Sequence, residues 1–189
     1  MIAGLVLGAG GARRFGSPKQ LAELDGVPLL QHAIDAMLAV PALDRVVVVL
    51  GSYAEEVAAA VRFASAEPVV CEDWAEGMAA SLRCGVLELA DADWVVVTLG
   101  DMPGVTAEAI EAVLAACDAE VDAVRAEYGG HGGHPVALSR AVLDRVASLS
   151  GDVGARDLLR DARVRPVEAL HLARPDDVDT PDELEAIRG

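Results

Sequence analysis

The chain is 189 residues long and carries 31 acidic side chains against 15 basic ones, a formal net charge of −16. A chain this acidic is poorly suited to bind DNA, RNA or an anionic membrane surface, because such affinity comes largely from lysine and arginine. Hydrophobic residues at 53% exclude a disordered chain, and no apolar stretch approaches the roughly 18 residues that a membrane span needs.

Apolar runs alternate with helical patterns along the chain. Strands are predicted at residues 2–7, 45–50, 68–71, 94–99, 122–126 and 135–138, followed by an extended segment at 165–172. Helices are predicted at residues 28–39, 53–63, 77–89, 106–117, 139–147, 153–160 and 180–187. This alternation predicts a single three-layer α/β/α domain over residues 1–189, with a mostly parallel, mixed sheet of Rossmann-like type. Ligands of such sheets lie at the carboxyl ends of the strands.

The loop after the first strand combines glycines with an acid-free basic cluster. Glycines at positions 8, 10, 11 and 16 let backbone N–H groups approach an anion closely. Arg13, Arg14 and Lys19 are the only charged residues among the first 22. Lys19 is also the only lysine beside fourteen arginines, and its compact ammonium suits a single phosphate oxygen. This pattern predicts a triphosphate site; the alternative is an ordinary turn carrying surface arginines.

Two familiar phosphate-binding motifs do not fit this loop. A dinucleotide fingerprint that begins at Gly8 requires a third glycine where Arg13 stands. A P-loop that begins at Gly11 requires a lysine where Ser17 stands. The loop therefore belongs to neither class.

Acidic residues follow the second fully apolar strand and recur near the C-terminus. Asp101 comes directly after residues 94–99, where a carboxylate is well placed to hold Mg²⁺ against phosphate oxygens. An Asp that caps the next turn is the alternative interpretation. A second ligand is expected among the acids of residues 176–181, although Thr180 and Glu183 also match a helix capping box.

Histidines and cysteines complete the candidate chemistry. His131 and His134 lie in a glycine-rich loop, and since no acid or cysteine is close by in the sequence, contact with an anionic ligand is favoured over a zinc site. Cys71, Cys84 and Cys117 are scattered without a CxxC motif, which predicts free thiols and a cytoplasmic protein. The N-terminus shows no signal-peptide pattern.

The stretch from Leu7 to Lys19 resembles the signature L-x-x-G-x-x-x-R-[MF]-G-x-x-K of MobA-like nucleotidyltransferases. Within that family it is most similar to the molybdenum cofactor cytidylyltransferase branch. Further segments resemble family motifs, namely LGDMP from Leu99, W-x-x-G-M-x-x-S-L from Trp74, G-H-P-V from Gly133, G-D-x-G-A-R from Gly151 and VDTP from Val178.

The resemblance implies a nucleotidyltransferase fold and a set of site residues. The implied catalytic residues are Arg14, Lys19 and Asp101, and the implied metal ligands are Asp101 and Asp179. The implied nucleotide contacts are Leu7, Gly8, Ala9, Gly10, Gly11, Arg14, Lys19, Gly77 and Ser81. The implied acceptor contacts are His134, Pro135, Asp152, Gly154 and Arg156.

The expected activity is Mg²⁺-dependent transfer of a nucleoside monophosphate to a phosphorylated acceptor, with release of pyrophosphate. The resemblance favours CTP as donor and molybdopterin as acceptor, and it allows a molybdoenzyme or its chaperone as a protein partner. Two alternatives stay open. One is an accessory protein that binds nucleotide without turnover, and the other is an NAD(P)H-dependent reductase on the same scaffold.

Overall fold

The computed structural model describes residues 1–11, 15–146 and 158–188. Its strands are β1 (Ile2–Gly8), β2 (Glu23–Leu24), β3 (Val27–Pro28), β4 (Arg45–Leu50), β5 (Glu67–Val70), β6 (Trp94–Leu99), β7 (Ala123–Tyr128), β8 (His131–Ser139) and β9 (Val164–Glu168). Its helices are α1 (Leu29–Leu38), α2 (Ala54–Ala60), α3 (Met78–Glu88), α4 (Ala107–Ala115), α5 (Arg140–Leu143) and α6 (Pro181–Ile187). Two 3₁₀ turns cover Lys19–Leu21 and Trp74–Glu76.

Seven strands form one sheet in the order β5-β4-β1-β6-β8-β7-β9. Only β8 runs antiparallel to its neighbours β6 and β7, and every other neighbouring pair is parallel. The predicted mixed, mostly parallel sheet is therefore confirmed. The carboxyl ends of β1, β4, β6 and β7 share one edge, and β8 begins at that same edge.

Helices cover both faces of the sheet. On one face, α1 and α4 contribute Leu30, Ile34 and Ile110 to a buried cluster with the strands. On the other face, α3 and α5 contribute Leu82 and Val142 to a second cluster. Helix α3 lies unusually close to the sheet. A Cβ at Gly85 would stand 2.4 Å from a methyl carbon of Leu5, so only glycine allows this approach.

The predicted elements differ from the structure in places. Helix α2 is shorter than residues 53–63, and the helix predicted at 139–147 is helical only over α5. The extended segment at 165–172 is strand only through Glu168. The helix predicted at 153–160 begins outside the described residues. The short ribbon of β2 and β3 was missed. No helix in the described ranges is long and apolar enough to span a membrane.

The glycine-rich segment at residues 129–135 is a hairpin, not the predicted loop. Gly129 and Gly130 have φ of +58° and +88°, which suits the two central residues of a tight turn between paired strands. The next residues pair with β7, with Tyr128 opposite His131 and Glu127 opposite Gly132. The glycine composition indicated a loop. In the structure, because these glycines have no side chains, the side chains of β7 can lie across strand β8.

Candidate active site

A cavity of about 670 Å³ opens at the carboxyl ends of β1 and β6. Every predicted nucleotide contact that the structure describes lines it, namely Leu7, Gly8, Ala9, Gly10, Gly11, Lys19, Gly77 and Ser81. Asp101 and Asp179 line it as well. Arg14 lies outside the described residues. Residues from six separate stretches of sequence thus converge on one space.

Buried Gln20 fixes the glycine loop. Its side-chain nitrogen Nε2 donates to the carbonyls of Gly8 and Gly10, at 2.8 Å each. The N–H groups of Gly10 and Gly11 donate to no acceptor in the described part of the chain. The loop therefore has its carbonyls engaged and its amides available, as an anion-binding loop requires.

Trp74 forms a wall of the cavity against two glycines. A Cβ at Gly11 would stand 2.9 Å from its indole ring, and a Cβ at Gly51 would stand 2.6 Å from its Cβ. Trp74 can occupy this position only because Gly11 and Gly51 lack side chains. Gly77 comes directly after the 3₁₀ turn and has a φ of +113°. It leads into α3, which carries Ser81.

Lys19 joins the two predicted metal ligands. Its ammonium nitrogen lies 2.6 Å from Asp101 Oδ2 and 2.8 Å from Asp179 Oδ1. The three residues come from positions far apart in the sequence, and the lysine side chain is 13% exposed. Burial by itself would lower the pKa of Lys19, but the charges and hydrogen bonds of both carboxylates outweigh it and raise that pKa. The Lys19 ammonium therefore stays protonated.

Backbone contacts hold the two carboxylates at the edge. Asp101 does not cap the following helix, because Thr106 is the N-cap of α4 and accepts from the N–H of Ala109. The capping box of Thr180 and Glu183 is confirmed at the start of α6, and Asp179 precedes it. The N–H of Val178 donates to the carbonyl of Asp101 at 3.0 Å, which ties the two segments together.

The pair of acids fits a divalent cation. Oδ1 of Asp101 is buried and has no hydrogen-bond partner, so this oxygen is available to a further ligand. The Lys19 ammonium shows that a positive centre can lie between the two carboxylates. Among the described residues, no group of three His, Cys, Asp or Glu side chains surrounds such a centre. Mg²⁺ often uses one or two protein carboxylates, with phosphates and water completing its shell.

The two predicted acceptor contacts that the structure describes, His134 and Pro135, do not line this cavity. His134 and Pro135 belong to β8, and the carbonyl of His134 accepts from the Tyr128 hydroxyl at 2.6 Å. Burial lowers the pKa of His134 to about 4, although the Asp177 carboxylate opposes the shift. His134 is therefore neutral at pH 7. Asp152, Gly154 and Arg156 lie outside the described residues.

Gln20 is the site residue that the sequence analysis missed. It follows Lys19 directly, and nothing in the local pattern separates it from a surface glutamine. Only the fold shows that it is 4% exposed and turned toward the glycine loop.

A three-layer fold with a glycine loop and paired carboxylates at its carboxyl edge defines a Rossmann-like protein of the nucleotidyltransferase type. Residues 4–168 match the family described as the MobA-like NTP transferase domain. The chain belongs to that family, as its motifs predicted.

Relatives in this family carry different names. A protein of Paenarthrobacter nicotinovorans named nicotine blue oxidoreductase is 30% identical over 97% of this chain and 94% of its own length. A Pyrococcus horikoshii protein named probable molybdenum cofactor guanylyltransferase is 33% identical over 58% of this chain, which spans 53% of that protein. The Mycobacterium tuberculosis protein Rv0371C, solved in complex with manganese, is 30% identical, with a TM-score of 0.77 over 98% of this chain and 97% of that one.

Proposed function

We propose that this protein transfers a nucleoside monophosphate from a nucleoside triphosphate to a phosphate group on a small molecule, with magnesium as cofactor. The observation that carries the proposal is the meeting of the glycine loop, Lys19, Asp101 and Asp179 in one cavity. The glycine loop and Lys19 suit a triphosphate, and the two carboxylates suit a metal ion that is bound together with it.

The reaction needs positioning and charge stabilisation more than covalent participation by the protein. An ionised oxygen of the acceptor phosphate forms a bond to the α-phosphorus of the nucleotide. The bond from that phosphorus to the bridging oxygen breaks, and pyrophosphate leaves with the electron pair. Because the attacking oxygen is already ionised, no general base is required.

The chain's own residues divide the task. The amides of Gly10 and Gly11 bind triphosphate oxygens, and Gln20 keeps the loop in the required conformation. Asp101 and Asp179 would hold the divalent ion, which supplies charge neutralisation on the triphosphate when bound. Lys19, freed from its two carboxylates, would then donate to a phosphate oxygen. Arg14 is assigned the same charge-balancing role from its place in the motif.

The finer identity of the substrates rests on family resemblance. The motif at Leu7–Lys19 favours CTP and a molybdopterin-like acceptor. Because one relative is named a guanylyltransferase, GTP is the substrate to compare with CTP. A molybdoenzyme or its chaperone would receive such a product. A cytoplasmic location, expected from the three free cysteines, is part of the same proposal.

The test is pyrophosphate release from CTP, GTP and ATP with a phosphorylated acceptor, in Mg²⁺ and in Mn²⁺. Wild type is compared with Asp101→Asn and with Asp91→Asn, whose exposed carboxylate lies away from the cavity. We expect turnover with at least one triphosphate, lost in Asp101→Asn and kept in Asp91→Asn. Equal turnover in all three proteins would refute the site. Metal-dependent nucleotide binding without pyrophosphate release would instead favour an accessory role.

A reductase is the second candidate, because the nearly full-length relative is named an oxidoreductase. The glycine loop disfavours it, since Arg13 replaces the third glycine of a dinucleotide fingerprint. Titration with NADH, followed by cofactor fluorescence, separates the two. Saturable NADH binding that CTP does not displace would favour the reductase.

A further inference from the structure

Arg125, in the middle of β7, is a cation that pairs with no residue in the described ranges. Its Nε atom is buried and meets no hydrogen-bond acceptor. Across the described residues, no ion pair or hydrogen bond involves its guanidinium, and Glu127 two residues further along the strand does not pair with it. The residue as a whole is only half-buried, but a buried donor without an acceptor is uncommon in folded proteins. Arg125 therefore has hydrogen-bonding capacity that suits an anionic ligand.

The register of the hairpin shows which face of the sheet Arg125 occupies. Its partner across the ladder is Val136, and residues directly opposite each other in a pair of strands share a face. Val136 belongs to the cluster on the α3 face, against which Trp74 also packs. Arg125 and the cavity wall at Trp74 therefore lie on the same side of the sheet.

Gly132 shows which way the side chain runs. A Cβ at Gly132 would stand 2.2 Å from the guanidinium carbon of Arg125, so the guanidinium lies directly over this glycine. Gly132 is the second residue of β8, and because the register shifts between the two strands it lies opposite Glu127, two residues beyond Arg125. The side chain of Arg125 thus extends from mid-strand toward the edge where the cavity opens.

The guanidinium lies at the same end of the sheet as Asp101. Strand β8 pairs with β6 from Val136 to Ser139, so Gly132 lies beyond the last paired position, at the end where β6 leads into Asp101. Because β8 and β1 flank β6 on opposite sides, Arg125 lies on the side away from the glycine loop.

We propose that Arg125, seated on Gly132, forms an oxyanion subsite for the acceptor, next to the nucleotide cavity. This inference rests on the proposed function for the identity of the acceptor, but the subsite itself does not. A guanidinium fork pairs in a bidentate manner with a phosphate monoester or a carboxylate. The cavity cations would hold the donor triphosphate, and Arg125 the acceptor's anionic group.

The experiment is calorimetric titration of the whole protein with inorganic phosphate, and separately with acetate. Arg125→Gln removes the charge, and Gly132→Ala displaces the guanidinium while keeping it. Arg125→Lys keeps the charge but not the fork. Arg62→Gln is the matched control, because that arginine side chain is 78% exposed and lies outside the proposed subsite. CTP binding and thermal unfolding are measured on every variant to verify that each is folded.

We expect phosphate to bind at least tenfold more weakly to Arg125→Gln and to Gly132→Ala than to wild type and Arg62→Gln, with CTP affinity unchanged. If the affinity for acetate changes in the same way across the variants, the subsite also accepts carboxylates. If it does not, the subsite is selective for phosphate. Equal phosphate affinity in all proteins, or a parallel loss of CTP binding, would overturn the subsite. A wild type that binds phosphate through Arg125 but no nucleotide would refute only the proposed function.

Discussion

Two cations face the ligand edge of the sheet in opposite electrostatic states. Lys19 is fully paired, with two carboxylates within 2.8 Å of its ammonium. Arg125, on β7 beyond β6 and β8, pairs with no residue that the structure describes and has a buried Nε without an acceptor. The Lys19 ammonium thus has its ionic partners in the absence of ligand, whereas the Arg125 guanidinium has none among the described residues.

The difference indicates how each half of the site responds to its ligand. On the Lys19 side, binding must exchange partners, because a metal ion takes the carboxylates and the lysine moves to phosphate. On the Arg125 side, binding only adds a partner. Substitution of Lys19 itself should therefore change metal and nucleotide affinities in opposite directions, whereas substitution of Arg125 should change acceptor affinity alone.

The largest effect is expected from Asp101→Asn, which removes the charge but keeps the shape of the side chain. Loss of one electrostatic contact of this kind typically lowers turnover about 10²–10³-fold. Steady-state pyrophosphate release at saturating nucleotide measures it, with Asp91→Asn as the control. A decrease of less than threefold would mean that Asp101 does not hold the catalytic charge.

His134 should make the hairpin sensitive to acid. Its folded-state pKa of about 4 lies below the ordinary value of 6.5, so the unfolded chain binds more protons between these values and stability falls as the pH decreases through them. The loss is at most about 3 kcal/mol. Urea unfolding at pH 7.0 and pH 4.5 should show a larger decrease for wild type than for His134→Gln. Equal decreases would show that His134 titrates normally.

Gln20→Met should loosen the glycine loop, because the carbonyls of Gly8 and Gly10 lose their donor. We expect about 1–3 kcal/mol less stability and weaker CTP binding. Gln31 is the matched control, a buried glutamine that bonds to the backbone of Arg62 away from the cavity. Gln31→Met should decrease stability but leave CTP affinity intact. Similar CTP affinity in both variants would show that Gln20 does not support nucleotide binding.

Lys19→Gln should change the affinities for Mn²⁺ and for CTP in opposite directions. Without the ammonium, Asp101 and Asp179 lose their competing cation, so Mn²⁺ in the absence of nucleotide should bind more tightly, by about tenfold or 1.4 kcal/mol. CTP should bind more weakly. Electron paramagnetic resonance of free Mn²⁺ measures the first and calorimetry the second. Lys19→Arg, which keeps a cation, is the control. Weaker Mn²⁺ binding in Lys19→Gln would contradict the exchange of partners.

The sequence predicted the parts of the molecule that local patterns specify. Fully apolar strands revealed the sheet, and glycines followed by Lys19 revealed the loop. Asp101 was found because a carboxylate after a buried strand must lie at the ligand edge. These features each depend on a few neighbouring residues and on one general property of parallel sheets.

The rest depends on contacts between distant positions. Nothing in the pattern indicates that Lys19 pairs with Asp101 and Asp179, because the sequence suggested phosphate for the lysine and metal for the acids separately. The hairpin at residues 129–135 was missed because its glycines pair with β7 only when Arg125 and Tyr128 cover them. Gln20 has no local signal at all, since its importance comes from its burial.

The most direct test of the central claim is equilibrium binding of CTP and GTP to wild type and to Asp101→Asn, with and without Mg²⁺. If the cavity holds a metal–triphosphate complex on Asp101, Mg²⁺ should strengthen nucleotide binding at least tenfold in wild type and have little effect in the variant. The same Mg²⁺ dependence in both proteins would contradict the account.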